Sequence, residues 1–130
     1  MDPRRGALLL AAGRAALGVA VLIAPERVTA RWLGEQNARL PVVGDLARSL
    51  GARDVALGIA ALQTLDDPVG GPRIQAACAV VDTVDVLATV LARKALPRAG
   101  VLATVAVASA AAGAGFLLSH RLAHAEPAAA

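Results

Sequence analysis

The sequence predicts an all-α fold, a four-helix transmembrane bundle forming a single membrane domain over residues 1–130. Three observations predict it. Hydrophobic residues make up 57% of the 130, and the mean hydropathy is +0.61. Soluble domains are usually only about 45–50% apolar. Aromatic residues are 2%, Trp32 and Phe116 alone, so Ala, Val, Leu and Gly supply the apolar mass. Small residues let helix backbones approach closely in lipid, where bulk is not needed for a core. Finally, four apolar segments are separated by turn chemistry, and ionisable side chains stand inside them.

The first segment, 6–24, carries only Arg14 and is long enough to cross a bilayer. Pro25 is expected to end it. The second, 45–65, has a short uncharged part, Val55 to Leu65. It spans only if the helix begins near Asp45, set to cap it after Gly44, and carries Arg48, Arg53 and Asp54 along. The third, 73–92, contains Asp82 and Asp85. The fourth, 98–119, has no charged residue from Gly100 to Ser119.

The connections are equally marked. Asp66-Asp67-Pro68-Val69-Gly70-Gly71-Pro72 is a turn with a proline placed to open the next helix. Arg93 to Arg98 is a short polar hairpin, and its Pro97 again suits a helix start. In the long connection, Val28 and Trp32 share one face of segment 26–34 while Arg27 and Arg31 share another. That pattern reads as an interfacial helix anchored by Trp32, against the plainer reading of a polar loop with one buried Trp. The tail 121–130 is expected to be flexible. His120 and His124 share a helical spacing, but two histidines alone make a poor metal site.

The first segment also loosely fits a signal peptide: Arg4-Arg5, an apolar run, then Val28-Thr29-Ala30. Its length, Arg14 and the spans that follow favour a retained helix. The expected location is the cell inner (plasma) membrane, multi-pass. The positive-inside rule places the Pro25–Val43 and Arg93–Arg98 connections in the cytoplasm and both termini outside, whereas Arg4 and Arg5 argue the other way.

Arg14, Arg53, Asp54, Asp82 and Asp85 form the expected buried charge network, since ionisable groups are costly in hydrocarbon without a partner or a task. Cys78, Asp82, Asp85 and Thr89 follow helical steps of four, three and four, making one polar stripe that should face inward. Ala16-Leu17-Gly18-Val19-Ala20 resembles Ala56-Leu57-Gly58-Ile59-Ala60, with a charge four residues before each glycine, Arg14 and Asp54. Two such faces would set Arg14 against Asp54. Gly13, Gly18, Gly51, Gly58 and Gly113 are the expected packing glycines. Three carboxylates face two guanidinium groups, so one carboxylate, Asp82 or Asp85, which share a helix face, is expected to take up a proton, unless Arg48 reaches the cluster.

The chemistry of this constellation stays open. It is either a structural rivet or a site, with Asp54, Asp82, Asp85 and Arg53 as the catalytic candidates for acid–base work or proton coupling on a lipid-soluble molecule. There is no nucleophile–base pair, no phosphate loop and no metal-ligand set, and neither a cofactor nor a metal is expected. The lone Cys78 reads as a small hydrophobe. The arginines are scattered, which argues against nucleic acid. The expected partners are the lipid bilayer and a second copy of the chain or a larger membrane complex. A soluble alanine-rich helical bundle is a third reading, which the uncharged fourth segment opposes.

Gly13-Arg14 with Gly18, Arg48-Ser49-Leu50-Gly51-Ala52-Arg53-Asp54 with Gly58, and Asp82-Thr83-Val84-Asp85 resemble a group of small bacterial, largely actinobacterial, four-helix membrane proteins of unknown function, similar in layout to the DoxX-like proteins. The resemblance covers about Gly6 to Ser119 and implies a fold and a location. DoxX-type proteins are linked to redox or respiratory partners, and no motif here carries that role over.

Overall fold

The computed structural model describes residues 2–124. Six helices follow one another: α1 (Pro3–Ile23), α2 (Pro25–Leu33), α3 (Glu35–Ala38), α4 (Pro41–Gln63), α5 (Gly70–Leu91) and α6 (Arg98–Ala123). No strand occurs among the described residues.

Proline sets most of the helix boundaries. Pro3 occupies the first turn of α1, where its missing N–H costs nothing, and Asp2 caps that end by accepting from the Arg4 N–H at 3.1 Å. Pro25 was expected simply to end the first helix. It pushes Ala24 out of helical geometry and at once opens α2, so one residue does both. Asp45 does not cap the second helix. Leu40 is held extended ahead of Pro41, the helix starts there, and Asp45 lies a full turn inside it. Between α2 and α3, Gly34 takes φ +84°, a left-handed geometry that glycine alone reaches without strain. The chain expected to be tail from 121 onward is helical through Ala123; residues 125–130 lie outside the described residues.

Four helices are long: α1 packs along α4 and α6, and α5 along α4 and α6. The short α2 bridges α1, α4 and α6. α1 and α4 run antiparallel with their backbones nearly touching. A Cβ added to Gly18 would fall 2.6 Å from the Gly51 carbonyl, and one on Gly58 would fall 2.9 Å from the Ala11 carbonyl. Gly115 makes the matching approach between α6 and α5, 2.9 Å from the Ala79 Cβ.

Two expected packing glycines do not pack. Gly13 and Gly113 are exposed, with nothing within 4 Å of an added Cβ. Each sits on the outer face, and the inward positions are taken by neighbours one helical step away: Ala11 and Arg14 on α1, Ala112 and Gly115 on α6.

The burial pattern is inverted relative to a protein that folds in water. Apart from Cys78, Leu118 and two prolines, Pro25 and Pro72, the buried apolar side chains among the described residues are all alanine. The large apolar side chains point out: Leu9 is 57% exposed, Ile23 79%, Leu91 83% and Leu102 71%. Polar Thr29, Gln75, Asp82 and Thr89 are buried instead. Three helices, α1, α5 and α6, are long and apolar enough to cross a membrane by length and composition. α4 is as long but carries Asp45, Arg48, Arg53 and Asp54.

Candidate functional site: a buried arginine–aspartate network

Helical spacing brings the charged residues together. Ala7, Ala11, Arg14 and Gly18 share the inward stripe of α1, and Ala47, Gly51, Asp54, Gly58 and Ala61 share that of α4. Because glycine and alanine flank each charge, the helices close until the long arginine side chains span the gap.

Arg14 is the centre. Its Nη1 donates to Asp54 Oδ1 at 3.2 Å and its Nη2 to Asp82 Oδ2 at 2.5 Å, tying α1 to α4 and α5. Arg53 continues the chain. Its Nη1 and Nη2 form a fork on the two oxygens of Asp85, at 3.2 and 2.8 Å. Its Nε and Nη2 also donate to Asp54 Oδ1, at 3.3 and 3.2 Å. The five residues expected as a network are therefore one connected set, and the expected meeting of Arg14 with Asp54 is among its pairs. The side chains of Arg14 and Asp82 are about nine-tenths buried, whereas Arg53 and Asp85 are about a third exposed. The network thus has a deep end on Arg14 and a shallow end on Arg53.

Asp82 and Asp85 follow one another on α5 but answer to different arginines, which divides the pair that the sequence placed on one stripe. Arg48 does not reach the cluster. It lies at the helix surface 3.7 Å from Asp45. One carboxylate therefore remains beyond what the two guanidinium groups neutralise. Oδ2 of Asp54 and Oδ1 of Asp82 accept no hydrogen bond from the described residues, so both are open to a proton, a cation or water.

The rest of the α5 stripe is polar and quiet. Cys78 is a buried free thiol, and the Thr89 hydroxyl is buried without a protein partner. Gln75, 3% exposed, extends the stripe and was missed, although it stands three residues before Cys78 and could have been read from that spacing. Trp32, the expected interface anchor, is half-buried on α2; its carbonyl lies against Gly100 of α6 and its indole N–H has no protein acceptor. His120 and His124 have ring centroids 4.3 Å apart, and His124 Nδ1 lies 2.8 Å from the His120 carbonyl. No group of three or more His, Cys, Asp or Glu among the described residues is placed to hold a metal.

The α4–α5 turn holds two more acidic groups, both exposed. Arg4 forks onto Asp66 at 2.6 and 2.9 Å, a contact 62 residues apart that no local pattern announces. Asp67 Oδ1 accepts from the Val69 and Gly70 N–H groups, both at 2.9 Å. The guanidinium holds the Asp66 carboxyl below its usual range, and the two N–H groups do the same for Asp67.

Chemically, the arrangement is a set of charge-assisted hydrogen bonds in which three carboxylates meet two guanidinium groups. It joins three helices, and its arginines stay protonated under all ordinary conditions. No hydroxyl or thiol nucleophile is paired with a base in it. Compared with known proteins, the chain matches no family model, no curated protein and no solved structure.

Proposed function

We propose that the chain is a small multi-pass protein of the inner (plasma) membrane, a four-helix transmembrane bundle that serves as a helix-packing or complex-forming subunit. The inverted burial carries this reading: large apolar side chains outside, alanine, glycine and paired charges inside. In water that outer surface would be a severe aggregation hazard, whereas in lipid it is solvated. α4 crosses as the fourth span because Arg53 and Asp54, the charges in its middle, are paired with α1 and α5. Kinship with the small actinobacterial, DoxX-like four-helix proteins belongs to the same proposal. Carbonate washing of membranes from expressing cells tests it. The protein is expected to stay in the pellet and to leave it only with detergent; release by carbonate overturns the reading.

The open carboxylate favours a second reading, an intramembrane acid–base or proton-coupled function centred on Asp54 and Asp82, with Asp85 and Arg53 at its edge. Proteoliposomes carrying a pH-sensitive dye separate the two. A proton pathway gives a dye response to an imposed gradient that Asp82→Asn abolishes, and a packing subunit gives none.

A further inference from the structure

The two ends of the molecule differ in charge. The α2/α3 and α5/α6 junctions lie together, because Leu33 to Asn37 line one cavity with Ala95 and Pro97. At this end Arg39 and Arg48 have acids of their own, Glu35 at 4.0 Å and Asp45 at 3.7 Å. Arg93, Lys94 and Arg98 have no acidic partner among the described residues.

Those three cations border an open groove of about 510 Å³ whose remaining wall is Leu96, Val101 and Leu102. Arg93 and Lys94 stand on the hairpin and Arg98 opens α6, with Val101 and Leu102 on the next turn of that helix. Leu102 is 71% exposed and faces away from the protein. The N-terminus of α6 opens into the same region. Pro97 is its cap and offers no side-chain acceptor; Gly100 is buried against the Trp32 carbonyl, which leaves the N–H groups of Arg98 and Ala99, both exposed residues, without a protein partner. A helix N-terminus favours an anion, and here it adds to the field of three cationic side chains. Arg93 gives one N–H to the Val90 carbonyl at 2.9 Å, at the C-terminal end of α5.

We propose that this groove binds the headgroup of an anionic phospholipid, phosphate against Arg93, Lys94, Arg98 and the α6 N-terminus, with an acyl chain along Val101 and Leu102. Two features point to an amphiphile and not to a free anion. The cations are followed immediately by an exposed apolar wall, and exposed Leu117 lies on the same side of α6 as Leu102 further along the helix. A soluble phosphate would use only the cations. The proposal rests on the membrane reading above, which carbonate washing tests separately.

The test uses the full chain in neutral detergent, with lipid retention read by native mass spectrometry. Phosphatidylglycerol is expected to be retained about tenfold better than phosphatidylcholine, given the worth of each cation near an anionic surface. R93Q/K94Q/R98Q is expected to lose that preference, and R5Q/R121Q, at the opposite end, to keep it. Equal retention of the two lipids, or an unchanged triple variant, overturns the proposal. So does displacement of the lipid by millimolar inorganic phosphate, which would mark a free-phosphate site. If the triple variant fails to fold, the parent protein still decides. Lys94 is the chain's only lysine, so its acetylation, read on its own peptide by mass spectrometry, reports this groove. Mixed micelles with phosphatidylglycerol should slow it several-fold relative to phosphatidylcholine, and equal rates overturn the site. A protein that carbonate releases but that still shows lipid preference would separate failure of the membrane reading from failure of the groove.

Discussion

Arg14 holds two carboxylates from two different helices, so its loss leaves both without their deepest cation. Removing one member of a buried ion pair typically costs about 3–5 kcal/mol, because the partner is left charged and unsolvated. Arg14→Met is therefore expected to lower the melting temperature in detergent sharply. Adding Asp54→Asn and Asp82→Asn to it should recover much of the loss, since neutral amides no longer need the guanidinium. A triple variant no more stable than the single one would show that the network is not what Arg14 serves. The glycines make a second contrast. Gly58→Val forces atoms against the Ala11 and Ala15 backbone, which cannot move aside, and overpacking of this kind costs about 1–3 kcal/mol. Gly13→Ala meets nothing and relieves a helix of its glycine, so it should be neutral or stabilising by up to about 1 kcal/mol. Thermal unfolding of the two variants side by side checks both signs. The sequence made Gly18, Gly51 and Gly58 legible because a charge stood near each on the same face and fixed which side is inward. It misplaced Gly113 for the opposite reason. Gly100 to Ser119 has no charge to mark a face, and only the partner helix decides that Gly115 turns inward.

Helix ends were legible where proline stood and less so elsewhere. Pro25, Pro41 and Pro97 mark three boundaries, yet the start of α4 was placed at Asp45 because an acid after a glycine looks like a cap. An acid can also ride the second turn of a helix that proline has already opened. α3 escaped notice because four residues carry no periodicity. The α4–α5 turn shows capping by a different route: Asp67 accepts two N–H groups just ahead of α5. Its carboxyl titrates lower in the folded protein than its usual 3.8, so the folded state binds the proton less readily than the unfolded one. The stabilisation is then full above the usual value and is lost as pH falls through the lower, folded one. Asp67→Ala is expected to melt below the parent at pH 6, with the gap closing as the pH drops under 3.8. A gap that is constant with pH would mean that the side chain acts by shape alone.

The whole molecule turns on whether α4 crosses the membrane. By composition it fails where α1, α5 and α6 qualify, and the sequence could not resolve the matter because burial of a charge depends on what it meets. In the folded chain the charges of its middle are engaged: Asp54 with Arg14, Arg53 with Asp85. Asp45 and Arg48, near its first turns, pair with one another at the surface, which in the proposed bundle falls at the depth of headgroups and water. A helix of 23 residues is about 34 Å long at 1.5 Å per residue, enough for a hydrocarbon core of about 30 Å. With α4 spanning, the α3–α4 and α4–α5 connections fall on opposite sides. Single cysteines at Arg39 and at Asp66, in a Cys78→Ser background, then report the answer through a membrane-impermeant maleimide applied to intact cells. The basic end, which holds Arg39, is expected to face the cytoplasm by the positive-inside rule, so Asp66→Cys should label and Arg39→Cys should not. Both labelling alike would mean that α4 lies on one surface and that its charged middle pairs with α1 and α5 only outside lipid. Labels reversed between the two sites would leave the four spans intact and invert the protein, setting Arg4 and Arg5 in the cytoplasm.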